Sequence, residues 1–162
     1  GSLVAAVQTA TEVAPISAGK PEPAMFVQAA HRLGSTKPLV VGDRLDTDIA
    51  GGNAAAMTTF HVLTGVSHEI ALLEAEAEHR PNFIGESLAD MARNANELRP
   101  GPQGGFTARV DGLDLLIDNG DADATSIQAL RTALEVAWSM SKPPRYIQPV
   151  SDKAKEVIQG WR

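Results

Sequence analysis

The sequence contains no cysteine among its 162 residues, which excludes disulfides, thiolate catalysis and cysteine-ligated zinc. Positive charge is in the minority, with 14 Lys and Arg against 20 Asp and Glu and a net charge of −6. That balance argues against a nucleic-acid backbone or an anionic membrane as the main partner. No apolar run approaches the roughly 20 residues of a membrane-spanning helix, and the first residues are too short and polar for a signal peptide. We therefore expect a cytoplasmic location.

The rest of the composition is that of a folded domain, with 43% apolar and 21% charged residues. Short apolar runs alternate with stretches of helical periodicity along residues 1–98. The patterns predict strands at 13–17, 38–41, 58–63 and 82–84, and helices at 3–10, 24–33, 46–56, 68–78 and 87–98. This order is typical of a doubly wound α/β fold built on a parallel sheet.

A composition break divides the chain at residues 99–105, which contain two prolines and three glycines and are predicted to form a linker. Beyond it, Asp111-Gly112 is a two-residue hairpin signal between apolar runs. The later pattern predicts a helix at 124–140, a third strand at 146–149 and a terminal helix at 152–160. We expect residues 106–162 to form a second, small module of the α+β class.

Acidic residues follow the apolar run 38–41, where a buried strand would end. Ligands bind at the carboxyl ends of the strands in open α/β folds, and Gly42 lets the backbone turn sharply before Asp43. The carboxylates of Asp43, Asp46 and Asp48 would repel one another without a cation between them. Mg²⁺ is commonly held by one or two carboxylates together with phosphate oxygens, so the sequence favours a Mg²⁺ site here.

Lys20 is the second candidate, on a turn stiffened by Pro21. A fixed ammonium beside a metal site suits the charge that builds up on a transferring phosphoryl group. Each candidate also has a purely structural explanation. Asp43 could cap the next helix, Asp48 could stabilise the helix dipole, and Lys20 could be a solvated surface residue.

Residues 1–98 resemble the C-terminal half of haloacid dehalogenase superfamily phosphatases, in the subfamily with a large cap. The resemblance rests on Gly-Lys-Pro-Glu-Pro-Ala-Met-Phe at 19–26, Val-Gly-Asp-Arg-Leu-Asp-Thr-Asp-Ile at 41–49 and Val-Leu-Thr-Gly-Val-Ser at 62–67. With its C-terminal module, the whole chain is similar to the glycerol-3-phosphate phosphatases of actinobacteria. The resemblance implies the C-terminal half of a Rossmann-like parallel-sheet core, followed by the small α+β module.

The resemblance also implies roles for three residues. Asp43, in the pattern Gly-Asp-x-x-x-x-Asp, would bind Mg²⁺, and Asp48 would be a catalytic residue beside the metal or the lysine. Lys20 would bind the substrate phosphate and neutralise the phospho-enzyme. The implied activity is hydrolysis of a small phosphorylated metabolite, glycerol 3-phosphate first, in phospholipid recycling, with phosphoglycolate as the alternative substrate.

One motif of that family is absent from the sequence. The family's nucleophile is the first aspartate of an Asp-x-Asp-Gly motif, which forms an aspartyl-phosphate, and both this motif and the cap precede the lysine. Only 19 residues precede Lys20 here. We therefore expect the missing nucleophile and cap segment to be a partner of this chain, and the chain alone to be inactive. The alternative is a non-catalytic scaffold with a vestigial Mg²⁺ site.

The remaining polar groups have simpler interpretations. Asp121-Ala-Asp123 imitates the nucleophile motif, but two residues separate it from the predicted strand, which favours a turn and helix cap. The four histidines lack metal-ligand spacing and are expected to be surface or packed side chains. Arg44 and Asp46 are expected either to face solvent or to lie behind the groups that bind the metal. The C-terminal module weakly resembles acetyltransferase domains but lacks a Gly-x-Gly pyrophosphate loop, so we expect packing or homo-oligomer formation rather than a cofactor.

Overall fold

The computed structural model describes all 162 residues and contains two three-stranded sheets with helices around them. The first part of the chain comprises α1 (Ser2–Thr11), α2 (Ala24–Arg32), β1 (Leu39–Gly42), α3 (Ala50–Ala54), β2 (Thr58–Val62), α4 (Glu69–Leu73) and β3 (Phe83–Gly85). The second part comprises β4 (Phe106–Asp111), β5 (Asp114–Asn119), α5 (Ser126–Ala137), β6 (Ile147–Pro149) and α6 (Asp152–Ile158). None of the helices is long and apolar enough to cross a bilayer.

The first sheet is parallel throughout, with β2 between β1 and β3. Four of the five residues of β2 are buried, as expected for a strand that is covered on both faces of a parallel sheet. The register places Gly42 opposite His61, so β1 and β2 end side by side. The predicted α/β fold with a parallel sheet is confirmed.

The second sheet joins the antiparallel β4–β5 hairpin to the parallel strand β6. Asp111 pairs with Asp114, so the hairpin loop is Gly112-Leu113, one residue later than predicted. Gly112 has a φ of 62°, in the left-handed region that glycine adopts without strain. The predicted long helix, third strand and terminal helix of this part are all present, with slightly shorter bounds.

Besides a small cluster of Phe60, Val62 and Leu98, the two sheets share one larger hydrophobic core. Its buried side chains come from both parts of the chain: Leu45, Ile49, Leu72, Leu73 and Ile84 from the first, and Phe106, Leu115, Ile117, Leu130 and Leu134 among those from the second. Trp138 Nε1 also donates a hydrogen bond to the Leu72 carbonyl oxygen at 2.9 Å. The predicted linker 99–105 has no helix or strand, and the Gly101 N–H donates to the Arg131 carbonyl oxygen at 2.9 Å.

Two predicted helices are interrupted in the structure. The predicted helix 68–78 is wrong as one unit, because it consists of α4 and a separate 3₁₀ turn, Ala77–His79. Arg80 Nε donates to the Ala75 carbonyl oxygen at 3.0 Å, which removes that oxygen from the helical ladder. The predicted helix 87–98 is also wrong, because it forms two 3₁₀ turns. The Asn94 side chain accepts from the Asn96 N–H, a local bond that competes with helix continuation.

The N-terminal segment and the outer edge of β1 contact little of the rest of the protein. Every residue from 1 to 20 is exposed, including the apolar side chains Leu3 and Ile16. The predicted strand 13–17 is wrong, because these residues have no neighbouring strand and no regular structure. β1 pairs only with β2, so its other edge presents unpaired backbone groups.

Arg131 is a buried cation that bonds the second part of the chain to the first. It lies on α5 with 1% of its surface exposed. Its Nε donates to the Ile84 carbonyl oxygen at 3.1 Å, Nη2 donates to the same oxygen, and Nη1 donates to Gln103 Oε1 at 3.3 Å. Burial lowers the pKa of the guanidinium. Arg131 therefore bonds α5 to the middle residue of β3 without a carboxylate partner.

We predict that Arg131→Met lowers the free energy of unfolding by about 1.5–3 kcal/mol, because charge-assisted hydrogen bonds to a buried carbonyl are lost. Urea unfolding would measure the difference. Arg109→Met is the matched control, since Arg109 is exposed on β4 and should change stability by less than about 0.5 kcal/mol. Equal stability of the two variants would show that the Arg131 bonds do not hold the parts together.

Candidate functional site

The candidate site lies at the carboxyl ends of β1 and β2. Asp43 directly follows the last residue of β1 and is half-buried, where the sequence predicted a ligand-binding edge. A Cβ at Gly42 would overlap the Asp48 side chain, and a Cβ at Gly65 would overlap the Asp43 carboxylate. Both acids are therefore packed directly against glycine backbone, which only a residue without a side chain permits.

The Asp43 carboxylate is held from the turn that follows β2. Oδ2 accepts a hydrogen bond from the Val66 N–H at 2.9 Å, and the Asp43 carbonyl oxygen accepts one from the Ser67 N–H at 2.9 Å. The structure contains no further hydrogen bond to the carboxylate, so Oδ1 remains open. Asp43 does not cap the π-helical turn Leu45–Ile49 that follows it, since its carboxylate accepts no hydrogen bond from the first residues of that turn.

Lys20 and Asp48 form an ion pair across 28 residues of sequence, with Nζ 2.7 Å from Oδ1. The Asp48 side chain is 10% exposed and the Lys20 side chain is 44% exposed. Asp48 Oδ2 also accepts from the Arg44 N–H at 3.2 Å, so both of its oxygens are occupied. The pair thus fixes the position of an ammonium whose outer side remains open to solvent.

Arg44 and Asp46 are exposed, which is one of the two placements that the sequence predicted. The Arg44 guanidinium donates two hydrogen bonds to the Asp46 carboxylate, at 3.1 and 2.8 Å. These bonds lower the pKa of Asp46. The two charges therefore neutralise each other at the surface and leave Asp43 and Asp48 as the acids of the site.

His61 is the residue of the site that the sequence analysis missed. It is fully buried in β2, and its Nε2 lies 2.9 Å from the Ser67 carbonyl oxygen. Burial lowers the pKa of the imidazole. The clue in the sequence is a single titratable residue inside the run Thr-Thr-Phe-His-Val, whose neighbours predict a covered strand. No spacing to another histidine or acid accompanies it.

The carboxylate oxygens at this edge of the sheet supply one ligand that fits a Mg²⁺ site. Asp43 Oδ1 is an open, hard oxygen donor, and Mg²⁺ is often held by one or two carboxylates together with water. Asp48 is bonded to Lys20 and to backbone instead, so it is not placed as a direct ligand. No three His, Asp or Glu side chains come together as a complete metal-binding group. Any further protein ligands would therefore have to come from other residues.

The run Asp121-Ala-Asp123, which imitates the nucleophile motif, does not lie at the candidate site. Asp121 and Asp123 are exposed in the turn between β5 and α5. Thr125 is the N-cap of α5, and its N–H donates to Gln128 Oε1 at 2.9 Å. The structure agrees with the prediction of a turn and helix cap, since this turn does not end directly on a strand of the first sheet.

We predict that Gly42→Ala lowers the free energy of unfolding by about 1–3 kcal/mol, because the added methyl group overpacks the site and displaces Asp48. Urea unfolding measures the loss. The control is Gly19→Ala, next to Lys20, where an added Cβ meets no atom within 4 Å and stability should change by less than about 0.5 kcal/mol. If both variants unfold at the same urea concentration, the close packing of Gly42 on Asp48 is not what the site requires.

Comparisons with known proteins point to one family. Residues 17–91 match the HAD-hydrolase-like family model. The chain is 36% identical to D-glycerol 3-phosphate phosphatase of Mycobacterium tuberculosis, over 99% of this chain and 49% of that protein. It is 41% identical to chronophin of Rattus norvegicus, over 69% of this chain and 38% of that protein.

A solved structure extends the likeness to the whole chain. The crystal structure of a glycerol phosphate phosphatase from Mycobacterium tuberculosis in complex with magnesium is similar with a TM-score of 0.88 and 37% identity. The match covers 99% of this chain and 48% of that one, so the chain spans about half the length of this relative. The parallel sheet, the motifs and these matches together show a haloacid dehalogenase-like hydrolase domain in residues 17–91 of this chain.

Proposed function

We propose that this chain supplies the lysine and one metal-binding carboxylate of a Mg²⁺-dependent phosphomonoesterase. The observation that carries the proposal is the 2.7 Å ion pair between Lys20 and the largely buried Asp48, at the same sheet edge as the open oxygen of Asp43. Structural roles alone do not explain this geometry, because Asp43 caps no helix and Lys20 reaches a carboxylate 28 residues away.

Asp43 would hold Mg²⁺, which when bound screens phosphate charge and orients the phosphate for attack. Lys20 would bind a nonbridging phosphate oxygen. An ammonium has three N–H donors, and the Asp48 bond uses one, so two remain for the substrate. Asp48 would keep the ammonium in place where negative charge develops on the phosphoryl group.

The nucleophile would come from a segment outside these 162 residues, since the sequence contains no Asp-x-Asp-Gly. The unpaired edge of β1 supports this proposal, because a parallel strand added there would end beside Asp43. Its aspartate would form a bond to phosphorus as the bond to the leaving alcohol oxygen breaks. Water would then hydrolyse the aspartyl-phosphate and release inorganic phosphate.

The substrate would be a small phosphorylated metabolite, with glycerol 3-phosphate first and phosphoglycolate as the alternative. The likeness to the mycobacterial glycerol phosphate phosphatase over 99% of this chain supports the first choice. A cytoplasmic function in phospholipid recycling follows from that substrate and belongs to the same proposal. If this chain acts without the missing segment, it would be a non-catalytic scaffold instead.

A fusion protein tests the chemistry. The half of the Mycobacterium tuberculosis relative that this chain does not match would be joined ahead of residue 1, and hydrolysis of glycerol 3-phosphate would be followed with Mg²⁺. We predict Mg²⁺-dependent hydrolysis, and a loss of about 10²–10³-fold in kcat for Lys20→Met, because a preorganised charge at the phosphoryl group is removed. Asp43→Asn should require far more Mg²⁺ for the same rate.

Asp46→Asn is the matched control, since Asp46 is an exposed aspartate three residues from Asp43 and pairs with Arg44. It should leave the Mg²⁺ requirement of the fusion unchanged. The intact mycobacterial relative is the positive control for the assay. A folded but inactive fusion, or equal Mg²⁺ requirements of Asp43→Asn and Asp46→Asn, would overturn the proposal.

A further inference from the structure

His61 has an arrangement that packing alone does not explain. Its side chain is fully buried in the central strand of the parallel sheet, opposite Gly42. Gly42 is the last residue of β1, and residues 43–45 directly after it are called the Asp43 segment. The His61 Nδ1 is the one buried side-chain nitrogen or oxygen in the structure without a hydrogen-bond partner. An apolar side chain at this position would avoid the unsatisfied nitrogen, so the hydrogen bond made by the other nitrogen is the reason for an imidazole here.

That other nitrogen has a single possible role. Nε2 lies 2.9 Å from the Ser67 carbonyl oxygen, and a carbonyl oxygen can only accept a hydrogen bond. Nε2 therefore carries the proton, and Nδ1 is the bare acceptor of a neutral ring. Burial in the sheet disfavours the charged form and lowers the pKa of His61, which agrees with this tautomer.

Ser67 connects His61 to the Asp43 segment. Its N–H donates to the Asp43 carbonyl oxygen at 2.9 Å, and its Oγ accepts from the Leu45 N–H at 3.3 Å. The neighbouring Val66 N–H donates to Asp43 Oδ2 at 2.9 Å. The turn 64–67 is thus bonded to the Asp43 segment on one side and to the His61 ring on the other.

The position of the turn decides which Asp43 oxygen is free. With Val66 bonded to Oδ2, the open oxygen is Oδ1, and the overlap that a side chain at Gly65 would produce shows how closely the turn approaches the carboxylate. We propose that His61 is a positioning residue that orients the metal-binding carboxylate of Asp43 by donating its Nε2–H to Ser67. This proposal rests on the proposed function, because it assumes that Asp43 binds the metal.

Manganese(II) titration of the ¹⁵N-labelled chain tests the proposal without requiring activity. Mn²⁺ broadens amide signals near its site even when binding is weak, so the broadening of the Asp43, Arg44 and Val66 amides gives an apparent affinity. His61→Leu removes the Nε2–H donor and puts an apolar side chain of comparable size in its place. We expect its affinity for Mn²⁺ to fall by roughly tenfold, the lower end of the effect of removing a group that orients a metal ligand.

His61→Gln is the rescue variant, because its amide can donate to the Ser67 carbonyl oxygen. Its Mn²⁺ affinity should lie closer to that of the unaltered chain than to that of His61→Leu. His61→Leu removes an unsatisfied nitrogen but also takes the donor from the Ser67 carbonyl oxygen, so the two effects oppose each other and its stability at neutral pH should change little. A loss of metal affinity without a loss of stability separates positioning from simple packing.

Each outcome has a distinct meaning. If the unaltered chain shows no broadening around Asp43, the metal assignment fails and this proposal fails with it. If the unaltered chain binds Mn²⁺ and His61→Leu binds it equally well, only the His61 proposal is overturned. Should His61→Leu not fold, the ¹⁵N spectrum of the imidazole in the unaltered chain decides: a proton on Nε2 is expected, and a proton on Nδ1 would overturn the proposal.

Discussion

The parallel pairing of β1 with β2 is the constraint on which the rest of the site depends. Its register sets Gly42 against His61 and thereby brings the turn after β2 onto the segment after β1. A shift of one residue would move every side chain of β1 to the opposite face of the sheet. Asp43 would then lose the Val66 N–H, and Asp48 would lose its place against Gly42. The acids are thus positioned by backbone pairing and by the absence of side chains at two glycines.

The second part of the chain supports this pairing by bonding to β3, the edge strand opposite β1. β3 has three residues, and a strand that short gains little from its own ladder. Arg131 donates to its Ile84 carbonyl oxygen, and Ile84 packs in the core with side chains of α5 and β5. The C-terminal part therefore stabilises β3, at the edge of the sheet opposite β1, which Asp43 follows. The C-terminal part does so although its residues lie outside the family match at 17–91.

The sequence predicted the fold class and the position of Asp43 at the end of a strand better than it predicted the packing. An apolar run followed by Gly42-Asp43 places an acid at the end of a strand, because glycine and strand ends have local signatures. The contacts of His61 with Ser67, and of Arg131 with Ile84, join residues that no local pattern connects. The helix interruptions at Ala75 and Asn94 arise instead from short-range side-chain hydrogen bonds, which outweigh the periodicity that predicted continuous helices.

In the proposed function, these 162 residues hold part of a phosphatase site and the nucleophile lies on other residues. Intact-mass spectrometry of the purified protein, paired with a Mg²⁺-dependent phosphatase assay on the same fractions, tests this most directly. We expect hydrolysis only where a species heavier than 17.1 kDa, or a second polypeptide, carries Asp-x-Asp-Gly. Hydrolysis by the pure 17.1 kDa chain would contradict the proposed function, because every catalytic group would then lie within the chain itself.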